Sequence, residues 1–525
     1  MHSMKYSSIE FEVNIPETQI ACELESNVVD LPQRSVKEHI EYALDNPIGA
    51  GDISTVVQKG DKVAIIISDV TRKWQAIPTY LPILVDRLNK CGIADEDIIV
   101  ISACGTHRRQ TDEEHKELLG EDLFIRLKIV DHQCEDKENL VYMGETSRKT
   151  PVWLNRYAIE ADKIILTGGV VYHFLAGYGG GRKSLVPGIA GKETINTNHC
   201  NALNPGFGEG INENVYSGNL SKSNPFHDDL EEAAAMAKPA YLLNVVANSD
   251  QQIIAAFAGD WIKAHKAATE LVDSIDGVYV DERADLVIAS AGGFPKDINL
   301  YQTSKTLSNS KIMIADGGTM IILSECSEGF GNQDCEDQIV KFTNMEEREK
   351  ALRADFSIGG FVGYDFSDTA ERYNMILVTE IPAEKFKNTK IHVVKTLDEA
   401  IRVAKELNDG SIAGNIIVSS SYRDSFSSFV STSVESSLLS SISSSIFFST
   451  GNSAKSIAHS LCRRRFSFFI TSSFFIISSI VESLSIPGSL FSTSSFLVLF
   501  KNNKPSSSSS SVVSSRIVIP SSSYF

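Results

Sequence analysis

Short apolar runs rich in β-branched residues alternate with amphipathic stretches along most of the chain before residue 415. DKVAIIISD (61–69), DIIVISACGTH (97–107) and DKIILTGGVVYH (162–173) each contain a continuous apolar run, which predicts a buried strand. Between the first and second runs, PTYLPILVDRLNKCG (78–92) has helical apolar spacing and ends at a glycine; after the second run, TDEEHKELLG (111–120) begins with a capping threonine. Strands that alternate with helices predict a parallel sheet with helices on its faces.

A second series of the same kind begins near residue 285. Its predicted elements are strands over ADLVIASAGG (284–293), KIMIADGG (311–318), NMILVTE (374–380) and KIHVVK (390–395), and a helix over NLYQTSKTLSNS (299–310). Acidic, alanine-rich stretches around 228–237 and 260–275 predict helices between the two series. The pattern therefore predicts two α/β domains with largely parallel sheets, an N-terminal one over 1–277 and a C-terminal one over 278–414.

Composition changes sharply near residue 415. Roughly 40 of the last 111 residues are serine, many of them beside phenylalanine or isoleucine. Residues 415–525 therefore predict a low-complexity, disordered tail. Translation in a wrong frame, or of the strand complementary to Lys- and Glu-rich codons, would give the same composition, and a weak membrane segment over 466–481 is a third alternative.

Charge and cysteine usage narrow the class of protein. The net charge of −18 argues against nucleic acid or an anionic membrane as the main partner. The eight cysteines are scattered without a C-x-x-C pair, which is typical of reduced thiols rather than of a disulfide framework. The N-terminal sequence MHSMKYSSIEFEV has no basic segment followed by an apolar run. We therefore expect a cytoplasmic protein that acts on a small molecule.

Unusual polar residues follow three predicted strands of the first domain. Asp69 and Arg72 come after the first strand, His107 after the second, and His173 after the third. The carboxyl ends of parallel strands meet at one edge of a sheet, where ligands bind. Because each strand end brings a histidine or an arginine to that edge, the sequence predicts a site for an anion there.

Three histidines stand out from the others. Histidines within predicted helices or strands are more often structural, and we assign no role to His39, His115, His265 and His392. His107 lies in a loop of small residues, and His173 and His199 flank a glycine-rich loop that permits close approach to a ligand. Two imidazoles near one carbon supply an acid and a base near neutral pH, as inversion of a stereocentre requires.

The glycine-rich loop GYGGGRKS (177–184) leaves two functions open for its lysine. A phosphate-binding loop of the G-x-x-x-x-G-K-[ST] type needs glycine directly before the lysine, where this chain has Arg182. Lys183 is therefore either a cation that faces a phosphate or a point of covalent attachment for a cofactor. Arg72 in turn either clamps a carboxylate through its planar guanidinium or pairs at the surface with Asp69.

One predicted helix of the second domain carries candidate binding residues on one face. The spacing of the histidines alone gives little support for a metal site. Tyr301 and Lys305 share a face of their predicted helix with Gln302 between them, in a pattern that an ordinary solvated helix would also give. His173 and His199 match no common spacing of metal ligands.

Several motifs together resemble the nickel-dependent lactate racemase family over roughly residues 8–412. They are SDVTR (68–72), GTHR (105–108), HFLAGYGGGRKSLVPGIAGKETINTNH (173–199), YLLNVVANS (241–249) and Y-Q-x-x-K (301–305). The resemblance implies a fold of two α/β domains with the active site in the cleft between them. It also implies a nickel pincer nucleotide as cofactor, a pyridinium-3-thioamide-5-thiocarboxylic acid mononucleotide joined to a lysine.

Matched to the family's motifs, the resemblance implies a role for each candidate residue. The catalytic histidines are His107 and His173, and His199 completes the nickel coordination. Lys183 carries the cofactor covalently. The remaining implied contacts are Gly179, Gly180, Gly181 and Asp69 for the cofactor, and Arg72, Tyr301, Gln302 and Lys305 for the substrate.

The implied reaction is hydride transfer coupled to proton transfer. One histidine removes the hydroxyl proton while the α-hydrogen leaves as hydride and a 2-keto acid forms; hydride then returns to the opposite face. Lactate is the expected substrate, and cofactor-synthesis proteins are the expected partners. An epimerase of a larger 2-hydroxy acid, a non-catalytic protein that binds an anion or nucleotide, and a nucleotide-phosphate hydrolase or kinase are the alternatives.

Two segments depart from the pattern of lactate-specific members. The residues KWQ (73–75) stand where we expect a stretch that contains proline, and GGFVGY (359–364) has no histidine or cation to match. Both departures bear on the substrate rather than on the cofactor. Trp74 is therefore a position at which specificity can be tested.

Overall fold

The computed structural model describes residues 2–13, 20–23, 27, 29–221, 223–248, 251–280, 282–408, 415–420 and 517–520. The strands are β1 (His2–Tyr6), β2 (Ile9–Val13), β3 (Ile20–Glu23), β4 (Val63–Ser68), β5 (Ile98–Ala103), β6 (Lys128–Asp131), β7 (Leu140–Glu145), β8 (Pro151–Asn155), β9 (Lys163–Gly169), β10 (Tyr172–His173), β11 (Gly177–Tyr178), β12 (Tyr241–Ala247), β13 (Ile253–Gly259), β14 (Gly277–Val280), β15 (Ala284–Ser290), β16 (Ile314–Leu323), β17 (Asn374–Val378), β18 (His392–Val394), β19 (Ile416–Ser420) and β20 (Ile517–Pro520).

The α-helices cover the sheets and carry part of the site. They are α1 (Val36–Asp45), α2 (Ile53–Val56), α3 (Ile77–Lys90), α4 (Asp112–Leu119), α5 (Glu121–Arg126), α6 (Arg156–Ile159), α7 (Lys192–Cys200), α8 (Pro225–Met236), α9 (Lys263–Asp276), α10 (Leu300–Met313), α11 (Gln333–Val340), α12 (Met345–Ala354), α13 (Ile358–Arg372) and α14 (Leu397–Leu407). Two 3₁₀ turns, Val70–Gln75 and Gly181–Ser184, lie at strand ends near the site.

The first sheet has the strand order β13-β12-β9-β4-β5-β6. Every neighbouring pair is parallel except β12 with β13. The central strand β4 has the sequence VAIIIS, and its first five residues are buried because helices cover both faces of the sheet. Its parallel neighbours β5 and β9 end at the same edge, so their following loops lie side by side.

The second sheet has the strand order β18-β17-β16-β15-β19-β3, and all its pairs are parallel. Its core is built mainly from apolar residues of β15, β16 and β17 packed against α10 and α13. Two α/β domains with largely parallel sheets confirm the predicted fold class.

Some segments lie in the second domain although the predicted boundaries placed them elsewhere. Strand β3 is at the edge of the second sheet, and Met4 and Tyr6 of β1 pack against its core. Strand β19 lies within that sheet, and β20 pairs with β14, although both fall in the range assigned to the serine-rich tail. These pairings are non-local, so a local pattern does not reveal them. The rest of the predicted tail, including 466–481, lies outside the described residues.

The start of one strand differs from the prediction. Lys311–Met313 belong to α10, and β16 begins only at Ile314. Ile312 and Met313 are buried, so the apolar run continues across the junction between helix and strand. An unbroken apolar run does not distinguish the end of a buried helix from the start of a strand.

Two findings concern membrane-spanning helices and the pairing of cysteines. Among the residues that the structure describes, no helix is long and apolar enough to cross a membrane. The six cysteines whose side chains are described form no disulfide with one another.

Candidate active site

A cavity of about 810 Å³ lies between the two domains and is lined by residues of both. The predicted site residues that line it are Asp69, Arg72, His107, His173, Gly179, Gly180, Lys183, His199, Tyr301, Gln302 and Lys305. Gly181 is not among the lining residues: a Cβ at this position would lie 2.8 Å from the ring of His265. The glycine at 181 therefore allows the loop to pack on α9.

His107 and Asp69 form a hydrogen-bonded pair at the ends of β5 and β4. One carboxylate oxygen of Asp69 lies 2.5 Å from His107 Nδ1, and the other accepts from the hydroxyl of Thr71 at 2.5 Å. Burial raises the pKa of Asp69, but the hydrogen bonds from His107 and Thr71 outweigh it and leave this pKa below its ordinary value. A carboxylate at Nδ1 fixes the proton there, so Nε2 of His107 carries the lone pair.

Asp69, which the resemblance implies as a cofactor contact, lines the cavity and also has partners within the protein. Here both of its carboxylate oxygens are hydrogen-bonded, one to Thr71 and one to His107. The side chain of Asp69 is 5% exposed, whereas that of His107 is 51% exposed. The buried carboxylate therefore orients an imidazole that faces the open cavity.

A partly buried amide that sequence reasoning missed, that of Gln110, joins the two loops. The side chain of Gln110 accepts a hydrogen bond from the backbone N–H of Val70 at 2.6 Å. Its amide nitrogen donates to Ser102 Oγ at 2.6 Å and to Asp131 Oδ1 at 2.9 Å. Gln110 therefore holds the loop of Asp69 against the loop of His107. Only its position, three residues after His107, could have drawn attention to it.

His173 lies on the hairpin formed by β10 and β11, and its Nδ1 is an acceptor. The backbone N–H groups of Leu175 and Ala176 both donate to Nδ1, each at 3.2 Å. Burial lowers the pKa of His173 well below its ordinary value, and the positive charge of Arg72 nearby lowers it further. The ring is therefore neutral with its proton on Nε2, the opposite tautomer from His107.

His199 has the tautomer that a metal ligand needs. It lies in the last turn of α7, where its Nδ1–H donates to the carbonyl of Ile195 at 2.7 Å. Burial lowers the pKa of His199 to about 4. The ring is neutral with a lone pair on Nε2, the form that binds transition metals. The rings of Phe226 and Phe356 pack against it at 5.0 and 5.5 Å.

Lys183 is a buried amine in the glycine-rich loop. Burial lowers the pKa of Lys183 well below its ordinary value, and the guanidinium groups of Arg72 and Arg182 lower it further. At Gly180, with φ of 70°, a Cβ would lie 2.9 Å from Asn244 Oδ1, so only glycine fits. A neutral amine is nucleophilic, which favours covalent attachment over the role of a phosphate-facing cation.

The residue after Lys183 also distinguishes this loop from a phosphate-binding loop. In such a loop the serine hydroxyl holds Mg²⁺. Here Ser184 Oγ donates to the backbone carbonyl of Thr167 at 2.7 Å. The geometry therefore disfavours the nucleotide hydrolase alternative.

Cations from both domains meet in the cavity. Helix α10 begins after its N-cap Asn299, and Lys305 on it donates to Gln302 Oε1 at 2.7 Å. Burial lowers the pKa of Lys305 to about 8, and the nearby charge of Arg72 contributes. Since Arg72 comes from the first domain, the two cations crowd the cavity from opposite sides. A bound anion would relieve their repulsion.

The two segments that depart from the lactate-specific pattern also reach the cavity. Trp74 lines it with its ring against Gly169, where a Cβ would lie 2.2 Å from the ring edge. GGFVGY (359–364) lies within α13, and its Val362 lines the cavity. Gly363 packs against the carbonyl of Cys335, where a Cβ would lie at 2.5 Å. The glycine content of this segment thus serves helix packing.

The donors fit the cofactor that the resemblance implies. Within the described ranges, no group of three or more His, Cys, Asp or Glu side chains is placed to hold a metal ion. A metal at His199 would therefore take further ligands from a bound group, as the sulfur atoms of a pincer nucleotide provide. Lys183 lines the same cavity, and the lowering of its pKa by burial favours the neutral amine that attachment requires.

Comparison with known proteins identifies the family. The family model described as the lactate racemase N-terminal domain matches residues 6–210, and the one for the lactate racemase C-terminal domain matches 280–420. Lactate racemase of Thermoanaerobacterium thermosaccharolyticum is 36% identical over 57% of this chain and 68% of its own length. That of Lactiplantibacillus plantarum is 32% identical over 70% of this chain and 86% of its own length.

A solved structure supports the same assignment. The lactate racemase apoprotein from Thermoanaerobacterium thermosaccharolyticum superimposes with a TM-score of 0.68 at 31% identity, covering 79% of this chain and 97% of that one. The chain therefore belongs to the lactate racemase family and is an enzyme of the isomerase class.

Proposed function

We propose that this protein is a nickel-dependent racemase that interconverts the D and L forms of a 2-hydroxy acid through a 2-keto acid, with lactate as the leading substrate. The observation that carries the proposal is that His107 and His173 line one cavity with different partners at Nδ1: a carboxylate for His107, and two backbone N–H groups for His173. One ring offers a lone pair and the other an N–H to a substrate oxygen. The names of the relatives favour lactate.

The cations hold the substrate by its carboxylate. Arg72 of the first domain and Lys305 of the second both line the cavity, and each has its pKa lowered by burial. A carboxylate between them would favour the charged form of both side chains. Gln302, hydrogen-bonded to Lys305, and Tyr301 lie on the same helix and would contact the substrate from the second domain. Burial of the bound acid would also exclude water from the keto intermediate.

The two histidines handle the hydroxyl proton. Nε2 of His107 is the base, and the Asp69 carboxylate stabilises the imidazolium that forms when it takes the proton. The Nε2–H of His173 donates to the substrate oxygen from its own side of the cavity. Loss of the α-hydrogen as hydride avoids the dianion that deprotonation beside a carboxylate would give. Return of hydride to the other face, with reprotonation of the oxygen, completes inversion.

Two residues would hold the cofactor. When bound, the nickel pincer nucleotide supplies the acceptor that takes and returns hydride. Lys183 would carry it covalently through its buried amine, and His199 would bind nickel through Nε2. Gly179 and Gly180 leave room along the cavity floor for the nucleotide. Proteins that synthesise and insert this cofactor would be required as partners.

A chiral assay with a panel of substrates tests the function. Protein produced with the cofactor-synthesis proteins and loaded with nickel is incubated with D-lactate, D-malate or longer 2-hydroxy acids. We expect D-lactate to approach equal amounts of both enantiomers, and both His107→Ala and His173→Ala to stop the reaction at unchanged nickel content. Faster turnover of a larger acid would instead favour the epimerase alternative. A loaded protein that interconverts none of them would contradict the proposal and favour a binding protein.

A further inference from the structure

The tautomer of His173 depends on the orientation of two peptide groups. The N–H of Ala176, one of the two donors to Nδ1, belongs to the same peptide unit as the carbonyl of Leu175. In a trans peptide the C=O and N–H point in opposite directions. Whatever holds the carbonyl of Leu175 therefore aims the N–H of Ala176 at the ring.

Asn224 holds that carbonyl. Its Nδ2 donates to the carbonyl of Leu175 at 3.0 Å and to that of Asn219 at 3.1 Å. Its Oδ1 caps α8 by accepting from the backbone N–H groups of Phe226 and His227 at 3.1 and 3.2 Å. The side chain is fully buried, and four hydrogen bonds fix its orientation.

Arg182 holds the next peptide unit. Its guanidinium is buried and donates to the carbonyl of Ala176 at 2.6 Å. The carbonyls of Leu175 and Ala176 are thus held by Asn224 and Arg182, respectively. The Leu175–Ala176 peptide unit therefore has little freedom to turn the N–H of Ala176 away from the ring.

We propose that Asn224 is a positioning residue of the active site, which fixes His173 as the tautomer with its proton on Nε2 by holding the Leu175–Ala176 peptide unit. The proposal rests on the acid–base role of His173 in the proposed function. It adds Asn224, the N-cap of α8, which is not among the residues that line the cavity. Its helix-capping function is separable from this one, because capping uses Oδ1 and positioning uses Nδ2.

Two substitutions separate these functions. Asn224→Asp retains an oxygen that caps α8 but replaces the donor with a second oxygen, which repels the carbonyl of Leu175. Asn224→Ser retains a capping hydroxyl, is neutral and is too short to reach that carbonyl. Asn344, the exposed N-cap of α12, gives the matched controls Asn344→Asp and Asn344→Ser.

The first measurement uses the apoprotein and does not depend on the cofactor. ¹⁵N spectra of protein labelled at histidine report which ring nitrogen carries the proton, and His173→Gln assigns the signal. We expect a protonated Nε2 and an unprotonated Nδ1 in the wild type, and partial protonation of Nδ1 in both Asn224 variants. A wild-type ring with its proton on Nδ1 would overturn the proposal, and so would a folded Asn224 variant with wild-type signals.

The second measurement is kinetic. In the loaded enzyme we expect kcat to fall about 10- to 100-fold in the Asn224 variants, the usual effect of losing a group that orients a functional histidine, while KM changes little. The Asn344 variants should keep wild-type kcat. An equal loss of kcat in the Asn344 variants would show that Asn224 acts only as a helix cap, and would overturn the proposal. If the loaded wild type racemises no 2-hydroxy acid, the proposed function fails, whereas the ring signals of the apoprotein still decide this proposal.

Discussion

Three histidine side chains line this cavity, and Nδ1 of each ring has a different kind of hydrogen-bond partner. A carboxylate accepts from Nδ1 of His107, backbone N–H groups donate to that of His173, and a backbone carbonyl accepts from that of His199. The sequence predicted which histidines to examine, since they follow strands or flank a glycine loop. It could not predict their tautomers, because Asp69 lies 38 residues from His107 and the turn after His173 is irregular.

Replacing Asp69 tests the basicity of His107. Asp69→Asn can turn its amide N–H toward Nδ1, which would move the ring proton to Nε2 and remove the base. We expect kcat of the loaded enzyme to fall roughly 100-fold or more, at the lower end of what general base catalysis contributes. Steady-state kinetics with D-lactate measure this fall. A variant with wild-type kcat would show that the carboxylate does not set the tautomer.

The two cavity lysines should differ in what their loss removes. Lys183→Ala deletes the amine that we propose carries the cofactor, so intact-mass analysis of protein made with the synthesis proteins should show no adduct. Lys305→Ala serves as the control, because it should retain the adduct while KM for the substrate rises. An adduct that persists in Lys183→Ala would contradict the attachment assignment.

At the scale of elements, local patterns predicted most of the strands that build the site. The sequence predicted β4, β5 and β9 because buried parallel strands are continuous apolar runs. Asp69, His107 and the loop of His173 follow the ends of these three strands. β3 and β19 were assigned elsewhere because their pairing is non-local. The sequence also did not predict the positioning role that we propose for Asn224 at the start of α8, because the peptide unit that Asn224 holds lies some fifty residues away along the chain.

A buried carboxylate links α8 to the helix that carries His199. Asp229 accepts from Asn198 at 2.8 Å, and from Thr146 and Thr150 at 2.5 and 2.9 Å. We expect Asp229→Ala to lower the free energy of unfolding by about 3 kcal/mol, because it leaves three buried donors without an acceptor.

Urea denaturation of the apoprotein measures this loss. Asp228→Ala is the control on the same helix: it removes a partly exposed ion pair with Arg148, so we expect a change below about 1 kcal/mol. Equal losses in the two variants would show that the buried network adds nothing beyond a surface charge.

At the scale of the whole molecule, an acidic protein surrounds a cavity that gathers cations from two domains. The net charge of −18 gave no indication of this, because the balance of a surface says nothing about a buried site. Arg72 and Lys305 come from different sheets, so only the three-dimensional structure places them on one cavity. The sequence predicted the residues, and the packing of the domains supplied their arrangement.

Buried neutral histidines should make the fold sensitive to mild acid. Burial lowers the pKa of His132, His173, His199, His227 and His265, to about 4 for His132 and His199 and to about 3 for His227 and His265. Below the ordinary histidine pKa the unfolded chain binds protons that the folded chain does not. The free energy of unfolding should therefore fall from pH 6.5 to pH 5, each histidine adding a slope that grows toward a limit of about 1.4 kcal/mol per pH unit as the unfolded chain becomes fully protonated. Urea denaturation of the apoprotein at several pH values measures this slope, and constant stability over the window would contradict it.

In the reaction that we propose, the α-hydrogen moves as hydride while His107 and His173 transfer only the hydroxyl proton. The most direct test is racemisation of D-lactate deuterated at the α-carbon by the nickel-loaded enzyme in ordinary water, with the L-lactate product analysed by mass spectrometry. We predict that the product retains its deuterium, because hydride held in the site does not exchange with solvent. L-lactate that carries hydrogen at the α-carbon would show that a base removes the α-proton, and would contradict hydride transfer.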